Sequence, residues 1–131
     1  MNLKNIIRLL LLLTLLACAR NKLPTAATAL TGEWTWIASS GGFAGVHYTP
    51  SSTGDQIKIT FTEDTFRRYK NGILEIETSY HLVEGETIMS TDSVTLIEYG
   101  NGLQQSFKLE GDRLFTFDEC YDCFNSEYIK E

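Results

Sequence analysis

The chain has 131 residues, enough for one domain, and carries 17 acidic against 11 basic side chains for a formal net charge of −6. That balance speaks against nucleic-acid binding, which demands basic patches, and against attraction to anionic lipid by charge. Prolines number only two, Pro24 and Pro50, and Thr, Ile, Phe and Tyr, the residues that fit pleated strands, recur through the body of the chain.

The first element is a leader. Lys4 and Arg8 flank a short polar head, and Leu9 to Ala19 is apolar except for Thr14. Crossing a bilayer core takes roughly 20 apolar residues, so this run is too short to span. A positive head before a short apolar run has the form of a secretory signal. It ends Leu15-Leu16-Ala17-Cys18, which resembles the bacterial lipobox, Leu-x-(Ala/Gly)-Cys. The resemblance implies cleavage before Cys18, a diacylglycerol thioether on its sulfur and, by custom, acylation of its amine. One acyl chain binds a membrane only marginally, so a stable anchor needs several. The expected division is residues 1–17 as cleaved signal, 18–31 as lipidated cysteine and tether, and 32–131 as the folded domain. No acidic run follows the cysteine, and analogy with sorted lipoproteins points to the outer membrane. An ordinary signal with an incidental cysteine is the alternative.

The tether, NKLPTAATALT, is small and polar, with enough alanine to permit a short helix. From Gly32 onward short β-like runs alternate with turn signals, and no ten-residue helical stripe interrupts them. The runs are Glu33 to Ser39, Gln56 to Thr62, Thr65 to Lys70, Ile73 to Val83, Glu86 to Ser90, Val94 to Tyr99, Leu103 to Leu109, Arg113 to Asp118 and Glu127 to Lys130. Ser40 to Asp55 reads as one long Gly/Ser-rich loop. Asn71-Gly72 is a strong type I′ hairpin signal, and Glu84-Gly85 reads as a turn. On Ile73 to Val83, alternation puts Leu74, Ile76, Tyr80 and Leu82 on one face and Glu75, Glu77 and Ser79 on the other. Many short strands with hairpin connections suit an all-β domain, either an antiparallel up-and-down barrel or a sandwich. The nine runs leave both open, and the choice of a barrel, with about eight strands, comes from the resemblance carried by Gly32-Glu33-Trp34.

Leu30-Thr31-Gly32-Glu33-Trp34 stands just before the first strand. Its Gly-x-Trp resembles the opening motif of lipocalins and of short lipocalin-like domains on bacterial lipoproteins. The resemblance implies that Trp34 plugs one end of an eight-stranded barrel. It also implies that a basic residue of the last strands packs over the ring, with Arg113 and Lys130 as candidates, through a contact worth about 0.5–2 kcal/mol.

Cys120-Tyr121-Asp122-Cys123 is a C-x-x-C. A structural disulfide is favoured, because the ends of a four-residue turn come within about 7 Å, a spacing that overlaps what a disulfide needs. A redox pair needs a depressed thiol pKa, which Asp118, Glu119 and Asp122 oppose. A zinc site typically needs four ligands, and carboxylates of this acidic loop would have to complete it. Both remain as alternatives. Ser39 to Gly45 is glycine-rich but lacks phosphate-loop spacing. It reads as a mobile loop, or as a lid whose Phe43 covers a ligand. His47 and His81 stand in no metal or triad motif. Glu75 and Glu77 share a strand face about 7 Å apart, which reads as a solubilising surface.

No catalytic constellation, cofactor or metal is expected. The function expected is non-enzymatic binding of a small apolar or amphipathic ligand at a barrel mouth, with Trp36, Phe43, Tyr80 and Tyr99 as candidate contacts. The rival is a filled barrel acting through its loops on another envelope protein. An enzyme, the third reading, would need a titratable cluster such as Arg68, Tyr80 and His81.

Overall fold

The structure, a computed structural model, describes residues 22–88 and 90–131. The leader, the lipobox and Cys18 lie outside the described residues. Helix α1 (Lys22–Leu30) precedes nine strands: β1 (Gly32–Gly41), β2 (Val46–Tyr48), β3 (Ile57–Phe61), β4 (Thr65–Lys70), β5 (Ile73–Thr87), β6 (Ser90–Tyr99), β7 (Gln104–Glu110), β8 (Arg113–Asp118) and β9 (Phe124–Lys130). A one-turn helix, α2 (Pro50–Thr53), follows β2. Every neighbouring strand pair is antiparallel, and β9 pairs back with β1. Eight strands thus close a barrel, which removes the edges an open meander would expose. The extra strand, β2, pairs only with the last three residues of β1.

Alternation on the strands sends Trp34, Trp36, Ile59, Phe61, Phe66 and Leu114 inward. Rings run through the interior in sequence: Tyr99 to Phe66 at 4.9 Å, Phe66 to Phe61 at 5.1 Å, and Phe61 to Tyr80 at 5.1 Å. Tilted pairs of this kind add about 0.5–1.5 kcal/mol each beyond their burial.

One end of the barrel is sealed. Leu30, the last residue of α1, is fully buried in the core, so the segment read as tether delivers a core residue. The Trp34 indole N–H donates to the Leu30 carbonyl at 2.9 Å. Lys130 Nζ stands 5.0 Å from the Trp34 ring centroid and donates to the Ala29 carbonyl at 3.3 Å. Arg113 does not share this role. It pairs with Ile129 in the ladder, faces outward and forms an ion pair with Glu127, because its register is one residue out of step with the inward Leu114.

Three strand readings are corrected. Glu84-Gly85 is not a turn and Glu86 to Ser90 is not a strand of its own, since β5 runs unbroken to Thr87 with Gly85 opposite Val94 and β6 begins at Ser90. The glycine serves packing instead: a Cβ there would stand 2.9 Å from Leu96 Cδ1. Leu74 also leaves the inward face. A bulge between Arg68 and Tyr69 sets Ile76 opposite Arg68 but Leu74 opposite Tyr69, so Glu75 is the extra residue and alternation flips across it. Beyond Leu96 the β5–β6 hairpin leaves the wall. It folds across the outside of β7, β8 and β9, where the Ile88 N–H donates to the Glu119 carboxylate at 2.8 Å.

Burial pushes the phenols of Tyr99 and Tyr128 above their ordinary value of 10.0. The fold therefore holds both neutral, while the unfolded chain ionises near pH 10. Their contribution is complete below pH 10 and is lost as pH rises further. The urea midpoint is expected to fall between pH 8 and pH 11, and Tyr128→Phe to shrink that fall. A midpoint that stays level over this range contradicts the assignment.

Candidate ligand site at the barrel mouth

Strands alternate in direction, so four connections meet at the end opposite α1: residues 42–56, 71–72, 100–103 and 119–123. One of them, 100–103, borders a cavity of about 190 Å³ through Asn101 and Leu103. Its floor is Ile59, Phe66, Tyr99 and Tyr128, and Ile76 and Leu103 stand at its rim. Arg68, Gln105, Asp118 and Ser126 supply the polar part of the wall.

These polar groups face in because of register. Phe66 and Arg68 share the inward face of β4, and Gln105, Asp118 and Ser126 follow inward positions on β7, β8 and β9. The Tyr99 hydroxyl donates to Gln105 Oε1 at 2.6 Å, and Gln105 Nε2 donates to Asp118 Oδ1 at 2.6 Å. Across the cavity Arg68 forms an ion pair with Glu75, the bulge residue. The cavity thus has a carboxylate held by an amide on one side and a guanidinium already matched by a carboxylate on the other. Its floor is apolar.

Cys120 and Cys123 form a disulfide with Cα atoms 5.6 Å apart. Both sulfurs are bonded to each other, which leaves the zinc reading without a thiolate. A bridge that closes four residues contributes only about 2 kcal/mol by chain entropy. Its value is local, since it shapes the 119–123 connection beside the cavity.

No family model, curated protein or solved structure matches this chain. The site therefore rests on its own geometry. Of the four candidate ligand contacts, Tyr99 lines the mouth cavity. Trp36 is buried below it, its indole N–H donating to Ser39 Oγ at 2.8 Å, and Ser39 Oγ is 2.7 Å from Ser126 Oγ. Phe43 projects from the β1–β2 turn into solvent and covers nothing in this structure. Tyr80 is removed from the site, because its hydroxyl donates to the Thr62 carbonyl in the β3–β4 turn, at the α1 end. Arg68, Tyr80 and His81 do not converge either: His81 faces outward, 3.2 Å from Glu98.

Sequence reasoning missed Gln105, Asp118 and Ser126 as mouth residues. A signal existed in Phe66-x-Arg68, where alternation places a cation on the same face as a core aromatic. A second, wider groove of about 660 Å³ lies on the outer wall where β1 and β3 part above Thr35 and Lys58. Its cation, Lys58, is held by Glu33 at 3.3 Å and Glu131 at 2.7 Å.

Proposed function

We propose that this is a lipid-anchored, lipocalin-like envelope protein, carried to the outer membrane by its leader and Cys18. In this reading it binds, without catalysis, one end of a small amphipathic ligand in the barrel mouth. The observation that carries the reading is the mixed character of the mouth cavity. An apolar floor of Ile59, Phe66, Tyr99 and Tyr128 meets a polar wall of Arg68, Gln105 and Asp118. Pockets that enclose drug-sized ligands hold roughly 300–1,000 Å³. At about 190 Å³ this one encloses only a terminal group, and the remainder of the ligand rests among the loops.

The test is the native mass of the chain from Ala19 onward, recovered from a bacterial periplasm and compared with its denatured mass. A discrete adduct that leaves on denaturation is expected. Ile76→Trp, which enlarges a half-exposed rim residue without touching the core, is expected to remove the adduct at unchanged stability. A bare native mass favours the rival reading, a filled barrel that acts on an envelope partner through its loops.

A further inference from the structure

Eight large hydrophobic side chains are exposed among the described residues, and their placement is uneven. Seven stand at the open end of the barrel. Phe43 (94 % exposed) tips the β1–β2 turn, Ile73 (71 %) and its neighbour Leu74 follow the Asn71-Gly72 turn, Leu103 (64 %) ends the β6–β7 connection, and Tyr121 (81 %) tips the disulfide loop. Each of the four connections at that end thus presents an apolar tip. Single exposed hydrophobics are ordinary, but their collection on one end marks an interaction surface.

Charge narrows the occupant. Lys70 is paired with Asp55 at 2.9 Å and Arg68 with Glu75, so each cation at this end has a carboxylate partner. Asp118, Glu119 and Asp122 then leave the end acidic. An anionic membrane is repelled by such a surface, and a second copy mouth to mouth would set like charges together. The tips are separate side chains around an opening. A fluid surface accepts such spacing without the shape complementarity a protein interface requires. Tyr121, with an apolar ring and a wet hydroxyl, suits the headgroup boundary, while Phe43, Ile73 and Leu103 suit the acyl layer beneath it.

We infer that the open end of the barrel docks onto an uncharged, zwitterionic lipid surface by inserting the tips Phe43, Ile73, Leu103 and Tyr121. The inference stands apart from the anchor: Leu30, the last residue of α1, is buried at the opposite end of the barrel.

The chain from Ala19 to Glu131 contains the whole closed barrel and lacks the leader and Cys18, so any vesicle binding it shows is independent of lipidation. It is tested by co-sedimentation with phosphatidylcholine vesicles, and with vesicles in which about a third of the lipid is phosphatidylglycerol. Binding to pure phosphatidylcholine is expected, insensitive to added salt and weaker when anionic lipid is present. Phe43→Ser and Leu103→Ser are each expected to lower the partition coefficient about tenfold, given the usual value of a buried large apolar side chain. Both residues are exposed, so urea midpoints should stay put. The inference is overturned by absence of binding to phosphatidylcholine, by binding that requires phosphatidylglycerol and disappears in salt, or by variants that bind as the parent does. Concentration-dependent dimerisation abolished by the same substitutions, without vesicle binding, assigns the surface to a second copy instead.

Discussion

Replacing Trp34 by alanine is expected to cost about 3–5 kcal/mol, the range for truncating a buried tryptophan. Whole domains of this kind are stable by only about 5–15 kcal/mol, so the variant should sit near the edge of folding. Three losses coincide. The ring, 1 % exposed, leaves a cavity under Leu30. The Leu30 carbonyl loses its indole donor. Lys130 loses the face over which its ammonium stands. Graded variants separate these parts. Trp34→Phe keeps an aromatic face but orphans the carbonyl, at about 1–3 kcal/mol. Lys130→Met keeps the stem and should cost about 0.5–2 kcal/mol. Arg113→Met breaks only an exposed pair and should cost at most about 1 kcal/mol. Urea unfolding of the four variants checks the order, and an Arg113 variant as damaging as the Lys130 variant contradicts the account of the sealed end.

Gly41→Ala is expected to destabilise by about 2–6 kcal/mol. Gly41 ends β1 at a φ of +149°, a conformation that side chains rarely adopt. Holding alanine there costs about 1–3 kcal/mol. A Cβ would also stand 2.9 Å from Phe124 Cα and 3.0 Å from the Cys123 carbonyl carbon, backbone atoms that cannot rotate away. Overpacking of this kind adds about 1–3 kcal/mol. Gly45 supplies the control, since nothing lies within 4 Å of its added Cβ, although its φ of +61° retains some strain. The measurement is the urea midpoint of both variants, together with the accessibility of Cys120 and Cys123 to reductant. Equal destabilisation at the two positions would place the whole cost in φ and none in the contact with the disulfide loop.

The strand meander was legible because its signals are local. Thr65–Lys70 and Arg113–Asp118 follow alternation and turn chemistry alone, and their bounds agree with the structure. Where a non-local packing event decides, the reading from sequence departs from the fold. Gly85 looks like a turn until Leu96, eleven residues away, is seen to need its missing side chain. The bulge at Glu75 is set by the pairing of β4 with β5 and reverses the face of Leu74 without any local mark. Val46–Tyr48 escaped notice because three residues give too short a pattern to detect. The mouth cavity was the least visible feature. Its wall draws on β4, β7, β8 and β9, and each polar residue there reads in isolation as an ordinary surface residue. Only closure of the barrel turns Asp118 and Arg68 toward one space.

The pairing of β1 with β9 sets a condition on the order of events during synthesis. The ladder joins Trp34 to Lys130, and the final residue is tied in as well, its backbone N–H donating to the Glu33 carbonyl at 3.1 Å. The first strand therefore waits for the last. Until β9 has been made, β1 lacks a partner on one edge and Lys130 is absent from the face of Trp34. Such long-range pairing carries a large loop-closure entropy and slows folding. The hairpins from β3 to β8 can pair locally as they are made, but the barrel closes only when β9 reaches β1.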